Sequence, residues 1–113
     1  MDAMLSSLAL RDIGYHFPDT DQTYKGANSI ELLKQVINLV ANEGYKIDSI
    51  SATIMAEKPK LLKIIPSIAQ NLADVIGITP DKIGISATTL EGLGFVGREE
   101  GICVHATATV KRI

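Results

Sequence analysis

The chain has 113 residues, with eleven Lys or Arg against thirteen Asp or Glu and a formal net charge of −2. That length fits one domain spanning 1–113, and the lack of a basic excess argues against nucleic acid as the main partner. With 46% hydrophobic and 21% charged residues it falls among ordinary globular chains. The single cysteine, Cys103, rules out an intrachain disulfide and points to a reducing compartment. No apolar run reaches the roughly 18 to 20 residues that span a bilayer, so no membrane partner is expected. A core of this size is modest, and oligomerisation would bury further apolar surface.

Taken in order, Met1, Met4, Leu5 and Leu8 fall at helical spacing and predict an amphipathic helix that ends near Asp12. The segment lacks the charged start of a signal peptide. Residues 15–28 hold Pro18, Asp19, Asp21 and Gly26 with no apolar period, so a long loop is expected. Asn28 with Glu31 three residues on reads as a capped helix start, Leu33, Val36, Ile37 and Val40 as its buried stripe, and Gly44 as its stop. Residues 45–55 switch to alternation, with Ile50, Ala52 and Ile54 on one side and Ser49, Ser51 and Thr53 on the other.

A second helix follows, carried by Ile65, Ile68, Ala69, Leu72 and Ile76, with Pro66 in its first turn and Gly77 at its end. Thr79-Pro80-Asp81 makes a turn, 83–87 a strand, 88–101 a glycine-rich loop, and 102–113 a last alternating strand. Strand, helix, strand over 45–87 is a right-handed crossover, so part of the sheet is parallel. The class is α/β, a small mixed sheet covered by helices on one face.

Three polar clusters lie at element ends, where ligand sites in α/β sheets concentrate. Asp12, Ile13 and Gly14 with Phe17, Pro18, Asp19, Thr20 and Asp21 offer carboxylates for hydroxyls or a hard cation; the competing reading is a set of Asx turns capping their own backbone. Ala56, Glu57, Lys58, Pro59 and Lys60 place two lysines at a strand-to-helix junction, either an anion site or a solvated charge run; Leu61 and Leu62 follow them. Ala87, Thr88, Thr89, Leu90, Glu91, Phe95 and Arg98 are threaded with Gly92, Gly94 and Gly97 in a pattern that is neither a P-loop nor a dinucleotide fingerprint.

In combination, DIG, FPDTD, KGAxS, AxxPK and ATTxExLGFxGRxEG resemble the 2-C-methyl-D-erythritol 2,4-cyclodiphosphate synthase family from Asp2 onward. The resemblance implies a homotrimer with sites between subunits. It implies an enzyme, a cyclising, CMP-releasing lyase, acting on a cytidine-diphosphate-linked small molecule in a bacterial cytoplasm or a plastid. Under it, Asp12, Ile13 and Gly14 would meet the ribose and diphosphate. Phe17, Pro18, Asp19, Thr20 and Asp21 would meet the methylerythritol phosphate end across an interface.

The same resemblance makes residues 56–62 the cytosine pocket, with Pro59 and Lys60 presenting backbone groups. Thr88 and Thr89 would hold phosphate oxygens beside Leu90, with Thr89 stabilising the transition state. Glu91 would ligate magnesium or manganese, and Phe95 and Arg98 would stand near the three-fold axis and diphosphate end. The family's zinc ligands and its first strand and hairpin would lie upstream of Met1. His16 and His105 match none of those ligands, and His105 reads as structural or pore-lining. The alternative reading is a short relative that holds a cytidine nucleotide without turnover.

Overall fold

The computed structural model describes residues 1–113. Its elements are α1 (Asp2–Ser6), α2 (Ile13–His16), α3 (Ser29–Asn42), β1 (Tyr45–Met55), α4 (Ile65–Ile76), β2 (Ile83–Thr88), α5 (Gly94–Gly97) and β3 (Cys103–Arg112). The strands form one mixed sheet in the order β2-β1-β3, with β1 parallel to β2 and antiparallel to β3. The expected crossover through α4 is present.

The helix expected to run from Met1 towards Asp12 stops at Ser6. The reason is a left-handed residue, Ala9, at φ 57°. Around it the Leu10 N–H donates to the Leu5 carbonyl at 2.9 Å and the Ala9 N–H to Ser6 at 3.1 Å. This is the Schellman arrangement that glycine usually supplies, which is why an alanine hid it.

The loop expected over 15–28 also holds more structure than its composition suggests. Asp12 accepts from the Tyr15 N–H and caps α2, and Asp21 accepts from the Thr23 N–H and caps a 3-10 turn at Gln22–Tyr24. The Asx reading of these carboxylates is therefore the one the backbone uses.

At α3, Asn28 caps as expected by accepting from the Ile30 N–H at 2.8 Å. Glu31 instead forms an exposed ion pair with Lys34, so the reciprocal half of the box is not made. Leu33, Val36 and Val40 join Met4, Leu5 and Ile47 in the core, and Ile50, Leu72, Ala108 and Val110 pack around them.

Ile47 enters that core through a β-bulge. Ile47 pairs with Val110 and Ser49 with Thr109, which leaves Asp48 without a partner across β3. The extra residue resets the pleat, so Ile47 and Ile50 share a face that strict alternation would divide. Asp48 bonds Lys111 at 3.1 Å instead, and that contact holds its carboxyl below the usual range.

The helices cover the isoleucine face of the sheet. The opposite face presents Ser49, Ser51, Thr53, Ser86, His105, Thr107 and Thr109, tied across strands by Ser49–Thr109 at 2.6 Å and Thr53–Ser86 at 3.1 Å.

Candidate functional site

The parallel pair β1 and β2 ends in a cleft. The Ala56 N–H donates to the Thr88 carbonyl at 3.0 Å, extending the ladder by one bond before the chains diverge. Beyond it lies a cleft of about 280 Å³ lined by Ala56, Glu57, Pro59, Lys60, Leu61, Leu62, Ala87, Thr88 and Thr89. Carboxyl ends of parallel strands are where an α/β sheet leaves backbone groups and loops free for a ligand. The second cluster and the start of the third are thus joined, although 25 or more residues separate them in sequence. Ala87, which opens the ATT motif at the end of β2, also lines the wall.

The wall is chemically mixed. Leu62 is 82% exposed and offers an apolar surface at the rim, while the Lys60 ammonium takes part in no ion pair. The Thr89 hydroxyl accepts from the Glu91 N–H at 3.3 Å, leaving its own proton to donate outward. The Thr88 hydroxyl donates to the Thr89 carbonyl at 3.1 Å.

The glycine-rich loop is folded tightly on itself. Glu91 sits at φ 55°, and Gly92 and Gly94 are left-handed as well. A Cβ on Gly97 would come within 2.1 Å of the Gly92 carbonyl carbon, so only glycine fits where α5 crosses back. One long-range bond ties this loop to the other wall: the Gly92 N–H donates to the Glu57 carboxylate at 2.9 Å. Lys58 and Glu99 form a looser exposed pair at 3.7 Å.

Lys58, Leu90, Glu91, Phe95 and Arg98 stand outside the cleft wall. Arg98 is engaged with Glu100, and Phe95 is 51% exposed. The Glu91 carboxylate forms no ion pair. A free, exposed carboxylate of this kind suits a hard cation that takes its remaining ligands from phosphate oxygens and water.

A zinc centre is a different matter, since no group of three or more His, Cys, Asp or Glu side chains comes together in the chain. His16 bonds the Leu10 carbonyl at 2.7 Å, and His105 lies in mid-strand opposite Thr53. The residues present do not fit zinc.

The first cluster is held elsewhere. Ile13 and Phe17 pack against the core beside α1 and α3, and the Asp2 carboxylate accepts from the Ile13 N–H at 2.8 Å. Phe17 meets Tyr24 edge-on at 5.3 Å. None of residues 12–21 lines the cleft, and no hydrogen bond or ion pair connects them to it. Within one chain the structure joins two of the three clusters and leaves the third apart.

Residues 1–111 match the YgbB family. The chain is 53% identical over 109 residues to the 2-C-methyl-D-erythritol 2,4-cyclodiphosphate synthase of Alkaliphilus oremlandii, covering 96% of this chain and 69% of that protein. It is 54% identical over 112 residues to the synthase of the same name from Bacteroides fragilis, covering 99% of this chain and 70% of that protein.

Among solved structures, it superposes on the bifunctional IspDF of Campylobacter jejuni with a TM-score of 0.95 at 39% identity, over 99% of this chain and 30% of that one. It also superposes on the CDP complex of IspF from Plasmodium falciparum with a TM-score of 0.82 at 28% identity, over 96% of this chain and 64% of that one.

Proposed function

Because this chain belongs to the YgbB family, we propose that the cleft between β1 and β2 is the cytidine end of a synthase site. The function is that of a 2-C-methyl-D-erythritol 2,4-cyclodiphosphate synthase in isoprenoid biosynthesis, as in relatives about half identical over nearly the whole chain. The substrate is 4-diphosphocytidyl-2-C-methyl-D-erythritol 2-phosphate. Its 2-phosphate attacks the β-phosphorus, the bond from that phosphorus to the cytidylate breaks, and CMP leaves.

The observation that carries this assignment is the union of residues 56–62 and 87–89 around one cleft. Its walls suit a base and a phosphate chain together. Pro59, Leu61 and Leu62 give the flat apolar surface a base needs, while backbone groups at 59–60 read its edge. Thr88 and Thr89 meet phosphate oxygens, and Thr89, with a free hydroxyl proton, donates to the charge that builds up during transfer. Glu91 would hold magnesium or manganese, which when bound neutralises diphosphate charge. Positioning the anionic groups and offsetting their repulsion is most of what phosphoryl transfer asks of a protein.

The rest of the site comes, in this reading, from a neighbouring subunit of a homotrimer. Asp12, Ile13 and Gly14 face the ribose and diphosphate, and residues 17–21 face the methylerythritol phosphate end from across the interface. The separation of that cluster from the cleft within one chain supports this arrangement.

So does the shape of the chain. A compact monomer of 12.1 kDa would expose about 6,000 Å², whereas this chain exposes 7424 Å². Its radius of gyration is 15.1 Å, against about 13 Å for a compact domain of this length.

The test is direct. Purified chain, with magnesium, is offered CDP in a calorimeter and the substrate in a coupled assay of CMP release. Saturable CDP binding with CMP release supports the assignment. A folded trimer that neither binds CDP nor releases CMP overturns it.

A further inference from the structure

The cleft has two walls that come from distant parts of the chain, and a single side chain spans them. Glu57 lines the cleft from the β1 side, and its carboxylate accepts the Gly92 N–H at 2.9 Å from the glycine-rich loop on the β2 side. Thirty-five residues separate the pair in sequence. We propose that Glu57 is a positioning residue, which fixes the distance between the base end and the phosphate end of the site by holding Gly92.

The inference rests on the reading of the cleft as the nucleotide site, and three further observations carry it. First, Gly92 is the point where the loop folds back: its backbone is what a Cβ on Gly97 would strike, so holding Gly92 holds α5 too. Second, the loop between Thr89 and Gly92 is short and sterically determined, with Glu91 and Gly92 both at positive φ. A loop so constrained moves as a unit, so an anchor at Gly92 also sets where the Thr89 hydroxyl and Glu91 carboxylate stand. Third, the alternative tether is weak. Lys58 and Glu99 meet at 3.7 Å between side chains that are 75% and 51% exposed, where an ion pair contributes little.

A carboxylate accepting a backbone N–H is a charge-assisted bond, stronger than its neutral counterpart. It also has a cost for the ligand, since Glu57 sets negative charge beside a site for phosphates. Its bond to Gly92 is a structural duty that the amide of glutamine could also perform, because the amide oxygen accepts in the same place.

The experiment compares wild-type chain with Glu57→Ala and Glu57→Gln, using cytidine and CDP with magnesium as probes, alongside amide hydrogen exchange at Gly92. The expected result is a Gly92 amide that loses protection in Glu57→Ala and keeps it in Glu57→Gln. CDP should bind about tenfold more weakly to Glu57→Ala, cytidine should lose clearly less affinity than CDP, and Glu57→Gln should restore CDP affinity. Equal weakening of cytidine and CDP would overturn the proposal, since Glu57 would then be only a wall of the base pocket. So would Gly92 protection that ignores Glu57. If wild-type chain binds neither probe, the nucleotide reading fails instead, while the exchange data still decide whether the tether exists.

Discussion

Thr89 and Glu91 sit two residues apart and are proposed to do different work, which substitution should separate. Thr89→Ala removes a donor aimed at developing charge, so CMP release should slow by about 100-fold while CDP affinity stays nearly level. Glu91→Ala removes a cation ligand, so CDP should bind about tenfold more weakly in magnesium and unchanged in EDTA. Calorimetry in the two buffers reads the second, and steady-state assay the first.

Asp21 offers a check that involves no ligand. The Thr23 backbone N–H, and then its side chain, hold the Asp21 carboxyl below its ordinary value of 3.8. A carboxylate depressed in the folded state contributes stability above its unfolded pKa and loses it as pH falls through the folded value. A carbon-detected NMR titration should place the Asp21 midpoint below that of the same residue in a peptide, and Asp21→Ala should flatten the acid limb of local stability around Gln22–Tyr24.

Residue types at loop positions marked three polar clusters, and only the resemblance carried by their combined motifs turned those into a candidate set. They did not tell the capping duty of Asp12 and Asp21 from a ligand duty, since both uses need the same carboxylate at the same turn.

Among the elements, the long periodic ones were legible. The stripe of Leu33, Val36 and Val40 in α3, the Gly77 stop of α4 and the alternation of β3 all appear where hydrophobic period and glycine place them. What escaped was short or turned on one unusual residue. α2 and α5 have four residues each, too few for a period to show. The end of α1 is set by an alanine doing the work of a glycine, and the bulge at Asp48 leaves only an apparent break in alternation.

These features invite two substitutions. Ala9→Gly relieves the left-handed strain, a gain of about 1 kcal/mol partly offset by a more flexible unfolded chain, so the melting temperature should rise by roughly 2–4 °C. Gly97→Ala forces a Cβ against Gly92, and thermal unfolding should show a loss of about 1–3 kcal/mol, with Gly92 amide protection lost as well.

At the scale of the whole molecule, helices cover much of one sheet face, leaving Val104 exposed at the β3 edge, and the other face is a bare field of hydroxyls with His105 among them. The proposed trimer gives that field a partner. Sedimentation equilibrium should return three times the 12.1 kDa of one chain, and Thr107→Lys, which sets a charge on the bare face, should lower that mass. A chain that remains a monomer with an intact CDP site would separate the cleft from the assembly.

The order of the strands also governs when the domain can come into being. β1 lies at the centre, yet its antiparallel neighbour is the last strand, with Tyr45 paired to Arg112 and the Ile113 N–H donating to the Gly44 carbonyl at 3.0 Å. During synthesis the ribosome delivers the central strand long before that partner. A nascent chain that has already released β1, α4 and β2 still carries β1 with one edge open, and only β3 closes it. Such late, long-range pairing makes for slow folding and a vulnerable interval. Loss of even a short stretch of β3 would therefore leave the central strand unpaired, rather than trim a dispensable tail.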